Sequence, residues 1–465
     1  MYTPPLTYER AEGREGTRLI PGLADALPRV SADGRTYTFR LRRGLRYSDR
    51  SPVRASDFAH TVERVRALSA RGRRTFRLVS GIRTDDRART VAIDLERPDP
   101  TFPYALASTY AGMVPRRTPL AEAGRRPPPG VGPYRIARSR PERSFSLRRN
   151  RRFRLPGIPG GNLDQIALRV VPDLTLQAQD VITGRADSMH DPPPAGLLPE
   201  IRSKFGDRYE EHPTLSTYYF FFDTSRRPFA DRRVREAVNL ALDGPELKRL
   251  FVGRLEPGCN FLPPGLPGYE RIDPCPYGDR SSLPDLARAR RLVEEAGAAG
   301  TSVRVWGFAE GRGRALTEYY ARALSTIGLR ARVRILGRER YLALVGGGRV
   351  VAQTGIASWQ ADTPHPAGFF ALLDADPATP VPGRSFGRVV APELEERVER
   401  LRSEPDLGDV VGQWAELDRR VAERAYAAPF GAERWSTFVS ERIDLDGCSR
   451  FHPVYLNDYS ALCIK

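Results

Sequence analysis

Polar and apolar residues alternate through residues 34–49, with Tyr37, Phe39 and Leu41 on one side and polar residues between them. That period of two predicts a half-buried strand, with turns at Asp33-Gly34 and Arg43-Gly44. From Ser56, the expected N-cap, Phe58, Val62, Val65 and Leu68 recur at helical spacing. Pro and Gly crowd residues 125–134 and predict a crossing between substructures. Strands are expected around Phe145 and Leu147, over 164–171, and over 218–222; the last is apolar on both faces, as in a sheet interior.

From residue 231 the pattern changes to helices alternating with strands. Asp231 is placed to cap a helix carrying Val234, Val238 and Leu242, and Asp285 to open another that ends at Gly297. Val303 and Val305 mark a strand. Leu316, Tyr320, Leu324 and Ile327 mark a helix ending at Gly328, and a strand through Ala331, Val333 and Ile335 follows. Such alternation predicts α/β lobes.

At 465 residues and 40% hydrophobic content the chain can bury two or three cores. No stretch approaches the ~18 apolar residues of a spanning helix. The net charge of +17 is almost wholly arginine, because the only lysines are Lys204, Lys248 and Lys465. Arginine is spread along the chain and often stands beside acids, as in Arg290-Arg291 before Glu294-Glu295. A nucleic-acid binder concentrates its charge in a stripe, so no nucleic-acid partner is expected. Gly311-Arg312-Gly313-Arg314 is a single Arg-Gly copy at a helix start.

Catalytic and metal signatures are missing. His60, His190, His212, His365 and His452 are dispersed, with no H-E-x-x-H spacing and no G-x-S-x-G elbow, and Gly346-Gly347-Gly348 lacks the Lys of a phosphate-binding loop. No catalytic residue, metal site or cofactor is expected. Cys259, Cys275, Cys448 and Cys463 form two close pairs in loop-like segments. In an oxidising compartment Cys259–Cys275 and Cys448–Cys463 are the natural disulfides; four cysteines permit three pairings, and buried free thiols are the alternative. The segment Ala357-Ser358-Trp359-Gln360-Ala361-Asp362 sets an aromatic three residues before a carboxylate in a Pro-rich stretch. A ring face beside a buried carboxylate suits an amine-bearing ligand; the alternative is an exposed turn Asp with Trp packing underneath.

Several segments together resemble the family 5 extracellular solute-binding proteins, the oligopeptide, dipeptide and nickel-binding group. They are Leu19-Ile20-Pro21-Gly22-Leu23-Ala24, the run from Asp33 to Gly44, Tyr47 to Phe58, Gly130-Val131-Gly132-Pro133-Tyr134, Arg149 to Phe153, Gly184-Arg185-Ala186-Asp187, Tyr219 to Thr224, and Pro228 to Ala237. The chain departs from the pattern at Arg50, where the family has a turn glycine, and at His365-Pro366-Ala367, where the family has a second Asp.

The resemblance implies an α/β fold of the two-lobed periplasmic-binding-protein type with an additional inserted domain. The expected division is an inserted domain with a remnant of lobe I over 1–128, lobe I over 129–245, lobe II over 246–435 and a return to lobe I over 436–465. It implies capture of oligopeptides or peptide-like solutes in an interlobe cleft, delivery to the membrane subunits of an ABC permease, action as a monomer and no enzyme activity. By carry-over, Asp362 holds a peptide's amino terminus, Trp359 lines the cleft, and the backbones of Ser358 and Gln360 pair with the peptide. Residues 1–30 read as the middle of a domain, so the export signal and first strand of lobe I are expected to be absent from this chain, and the location is expected to be extracellular or cell-envelope associated. A ligand-sensing module that keeps the fold without export is the alternative, and an arginine-rich nucleic-acid-binding protein ranks behind it.

Overall fold

The alternation around Tyr37 becomes the strand Thr36–Arg40 in the computed structural model, which describes residues 1–373 and 386–465. This strand lies in a four-stranded antiparallel sheet ordered Arg29–Val30, Thr36–Arg40, Thr90–Leu95, Val79–Asp85. Tyr37 and Phe39 pair with Ile93 and Val91, all four buried. The helix Ser56–Leu68 sets Phe58 edge-on to Phe39, ring centroids 5.4 Å apart. Ser56 is the first helical residue rather than the cap, and its hydroxyl donates to Asp86 at 2.9 Å. The buried acid of that turn is Asp57, which accepts from the Tyr47 hydroxyl and from the backbone N–H groups of Arg54 and Arg116.

Two units divide the chain: residues 1–210 with 436–465, and residues 211–435. One hydrophobic cluster of the first unit runs from Leu6 to Ile158, so residues 1–128 share an interior with Val131, Phe153 and Leu155. The first unit also holds a three-stranded antiparallel sheet of Tyr134–Arg140, Ser144–Arg149 and Gln165–Arg169. Its last residues meet its first. The Tyr455 hydroxyl lies 2.9 Å from that of Thr7, and His452 Nε2 donates to the Glu9 carbonyl at 2.9 Å while Nδ1 accepts the Val454 and Tyr455 N–H groups. Burial pushes His452 down to about 4, so its ring is neutral.

The second unit is organised on a seven-stranded mixed sheet. Its order is Tyr209–Pro213, Ala427–Phe438, Ser216–Phe222, Thr354–Gln360, Ser302–Phe308, Arg330–Leu336, with Leu255–Pro257 also on the Ala427–Phe438 strand. The doubly apolar 218–222 run is interior, as its pattern predicts. Residues 211–245, expected in lobe I, lie in this unit: Phe220, Val234 and Val238 join one core with Val303, Val305, Leu324 and Ile356. Asp231 and Asp285 cap the helices Arg232–Leu240 and Leu286–Glu295 by accepting from Arg233 N and Arg288 N, and Gly297 and Gly328 stand at positive φ just past the ends of Leu286–Glu295 and Gly313–Thr326.

Cys448 and Cys463 are joined by a disulfide, whereas Cys259 and Cys275 are thiols packed with Ile272 and Ala422. Among the described residues, no helix is long and apolar enough to cross a membrane.

Candidate functional site

The strands Ser302–Phe308, Arg330–Leu336 and Thr354–Gln360 run parallel, so their carboxyl ends lie on one side of the sheet. In open α/β sheets that side gathers ligands. The antiparallel neighbours bring the start of Ser216–Phe222 and residues Gly431–Glu433 to the same end.

The strand Thr354–Gln360 supplies the candidate residues. On one flank it pairs along its whole length with Ser216–Phe222, from Thr354↔Phe222 to Gln360↔Ser216. Just beyond the two ends of this ladder, Ala361 N donates to Leu215 O at 2.8 Å and Asp223 N donates to Gln353 O at 2.9 Å. Hydrogen-bonded and non-bonded pairs alternate in an antiparallel ladder. Trp359 and Ala357 therefore direct their backbone groups at the Ser216–Phe222 strand, and Ser358 and Gln360 direct theirs away from it. On that second flank the Ser302–Phe308 strand pairs only with Thr354 and Gly355. The Ile356 carbonyl accepts the Tyr341 hydroxyl at 2.5 Å. Beyond it, among the described residues, no strand pairs with Ser358–Gln360. Gly355 has its own reason to lack a side chain, because a Cβ there would lie 2.3 Å from the Trp306 carbonyl oxygen.

Ser358, Gln360 and Asp362 are exposed and Trp359 is half-buried. The expectation of a buried carboxylate beside the ring is thus corrected: Asp362 stands in the bend after the strand, facing solvent. The four residues are one continuous stretch, so the structure brings them together by connectivity alone.

Sequence reasoning missed their neighbour. Tyr218 is the cross-strand partner of Ser358, and its hydroxyl donates to Glu433 Oε2 at 2.7 Å. Glu433 Oε1 meets Arg312 Nη2 at 2.6 Å and Arg254 Nη2 at 3.3 Å. Burial, with the Glu433 charge next, raises the Tyr218 phenol well above its usual range, so it stays a donor. The one signal in the sequence was the Gly311–Arg314 motif, at the start of the Gly313–Thr326 helix.

Among the described residues, one group of potential ligand atoms lies together, Asp444 with Cys448 and Cys463, and its sulfurs are consumed by the disulfide.

Residues 18–379 match the family described as bacterial extracellular solute-binding proteins, family 5. The chain belongs to that family. Members of family 5 are extracellular or periplasmic binding proteins. Curated relatives include the glutathione-binding protein GsiB of Shigella flexneri and that of Escherichia coli K12, each 26% identical over 326 residues, or 68% of this chain and 61% of the relative. The matched stretch thus spans under two thirds of those relatives. Among solved structures, clavulanic acid biosynthesis oligopeptide binding protein 2 superposes with a TM-score of 0.88 at 24% identity, covering 100% of this chain and 90% of that one. The periplasmic murein tripeptide binding protein MppA gives 0.79 at 18%, covering 100% and 91%. These likenesses place the family 5 chain in the two-lobed periplasmic-binding-protein-like α/β fold.

Proposed function

We propose that this family 5 chain is the solute-capturing component of an ABC importer, that it binds oligopeptides or peptide-like solutes, and that it passes them to permease subunits in the membrane. The observation that carries this reading is the half-open strand. Ser358 and Gln360 present backbone donors and acceptors on a flank where, among the described residues, no strand pairs, so an extended peptide can add there as the next strand. Backbone pairing ignores the guest's side chains, which suits a carrier of varied cargo. Asp362 supplies an anion for the peptide ammonium and Trp359 an adjacent aromatic surface. The names of the relatives, which concern glutathione, oligopeptides and a murein tripeptide, support the same solute class.

The protein performs no chemistry on its cargo in this reading, acts as a monomer outside the cytoplasm or at the cell envelope, and takes no nucleic acid.

The test is thermal unfolding against a pooled di- to hexapeptide library. A peptide at ~100 times its Kd stabilises the native state by about 2.7 kcal/mol. The expected result is a peptide-dependent rise in Tm that Asp362→Ala abolishes without lowering the Tm of the unliganded protein. A rise that survives in the variant removes Asp362 from the site, and no rise in the wild type removes peptides from the solute class.

A further inference from the structure

The three-stranded sheet of the first unit has two unlike faces, and its register sets which residue falls on which. Ile136, Leu147 and Ile166 share one row of the inner face and Phe145 and Leu168 the next, all buried or half-buried. On the outer face Arg135 stands opposite Arg148, Arg138 opposite Ser146, and Arg140 and Arg169 both opposite Ser144. Arg135 and Arg138 are an odd number of positions apart, and the register shift between Ile136 and Arg138 is what keeps both on this face. All five arginines are exposed, and the rest of the face is serine, glutamine and alanine, with no acid.

The four-stranded sheet of the same unit treats its exposed arginines differently: Arg40 has Asp25 at 2.6 Å and Arg83 has Asp94 at 2.9 Å. On the three-stranded sheet Arg169 has Asp180 at 3.2 Å, and Arg185 also holds that acid, at 2.8 Å. Among the described residues, no acid pairs with Arg135, Arg138, Arg140 or Arg148. Strands lie ~4.8 Å apart and rise ~3.4 Å per residue, so the face measures about 10 Å by 14 Å. Its charges stand roughly within one Debye length of each other at 0.1 M salt and act as a single field. Mutual repulsion works against the fold here, and a counter-charge outside the chain relieves it. An array of guanidiniums, each a planar fork of donors, matches an array of phosphates.

Two observations select a lipid surface over a nucleic acid. The outer face carries no aromatic ring on which a base could stack. Apolar surface also lies exposed beside it. Leu176 is 50% exposed on the helix Leu174–Ile182, one turn before Asp180, the partner of Arg169. An anionic bilayer takes both groups, guanidiniums at its headgroups and leucine at their boundary with the acyl chains. We infer that this outer sheet face is a docking surface for an anionic phospholipid membrane. The inference draws on the extracellular or periplasmic residence of the family and is independent of the peptide-capture reading. A carrier held in this way searches for its permease along a surface rather than through a volume.

The experiment uses the full chain and sucrose-loaded vesicles of phosphatidylcholine, alone or with one third phosphatidylglycerol, and reads binding by co-sedimentation. Wild type is expected to bind the anionic vesicles about a hundredfold more tightly than the neutral ones at about 0.1 M salt, and to leave them near 0.5 M as screening shortens the field. The triple variant Arg135→Gln, Arg138→Gln, Arg148→Gln is expected to lose about a hundredfold, at about fivefold for each basic residue near the surface. A control with Arg288→Gln, Arg291→Gln and Arg400→Gln removes the same charge from exposed positions of the second unit. It is expected to stay within about threefold of wild type, because those charges lie outside the face. Equal losses in the two variants would assign the binding to overall charge and overturn the inference. Equal binding of wild type to both kinds of vesicle overturns it as well. Binding of a duplex DNA oligonucleotide that the face variant loses, without vesicle binding, gives the face to nucleic acid and overturns the membrane assignment. The substituted side chains face solvent, so the Tm of each variant is expected to stay near that of wild type.

Discussion

Arg50 holds its backbone at φ 76° in the turn where Arg50 N donates to Tyr47 O and Tyr47 N donates to Ser51 O. That is left-handed territory, which costs a side-chain-bearing residue about 1–2 kcal/mol and glycine nothing comparable. Glycine's extra freedom in the unfolded chain offsets part of the gain. Arg50→Gly is accordingly expected to stabilise the protein by about 1 kcal/mol in urea unfolding, and a measured loss would show that the Arg50 side chain contributes more than the turn costs. This strain was legible beforehand, since the family pattern sets a glycine at Arg50. The surroundings of Asp362 were less so. Spacing fixed its distance along the chain from Trp359, but exposure depends on what packs over a bend, and no local pattern carries that.

At the scale of elements, the helix Val411–Glu423 ties down the loop that follows Cys259. Asp418, fully buried on that helix, accepts Asn260 Nδ2 at 2.8 Å, Phe261 N at 2.7 Å and Leu262 N at 3.2 Å. Burial outweighs those donors and pushes its carboxyl up to about 7. The folded state then binds this proton more tightly than the unfolded chain, whose Asp titrates near 3.8. Stability from this group is present at pH 4 and declines as the pH rises through 7. Asp418→Asn is expected to flatten that dependence in urea unfolding between pH 4 and 7. It should also cost about 1–3 kcal/mol at pH 4, because its amide would face the Asn260 donor. An unchanged pH slope would place the titration elsewhere.

Elements themselves were largely readable. Period two gave Thr36–Arg40, and Asp231, Asp285, Gly297 and Gly328 marked helix boundaries, because caps and alternation are local. The Glu433 cluster was not. Its members are brought together by the fold across 36 to 215 residues of chain, the separations of Tyr218 from Arg254 and of Tyr218 from Glu433, and ion pairs leave no periodic trace.

For the molecule as a whole, the two thiols report on its surroundings. Cys259 and Cys275 share a hydrogen bond, which holds the Cys275 thiol below its usual range and pushes Cys259 up. A disulfide-bearing oxidant, such as a periplasmic or extracellular thiol–disulfide exchanger, would take two electrons and two protons from the pair and leave them bonded. Protein recovered from an oxidising compartment is therefore expected to show no titratable thiol when denatured without reductant. Two titrating thiols would mean that the pair stays reduced, and would weigh against residence there.

The meeting of the chain's two ends in the first unit also has a consequence in time. Residues are added from the amino end, so Thr7 waits 448 residues for Tyr455 and Glu9 waits 443 for His452. Residues 211–435, by contrast, are contiguous and have all their partners for the seven-stranded sheet once that stretch has emerged, apart from its bordering strand ends. Domains tend to fold as units during translation. The unit that is begun first thus waits longer for its partners, and a chain halted at residue 435 would hold the second unit beside a first unit still lacking residues 436–465.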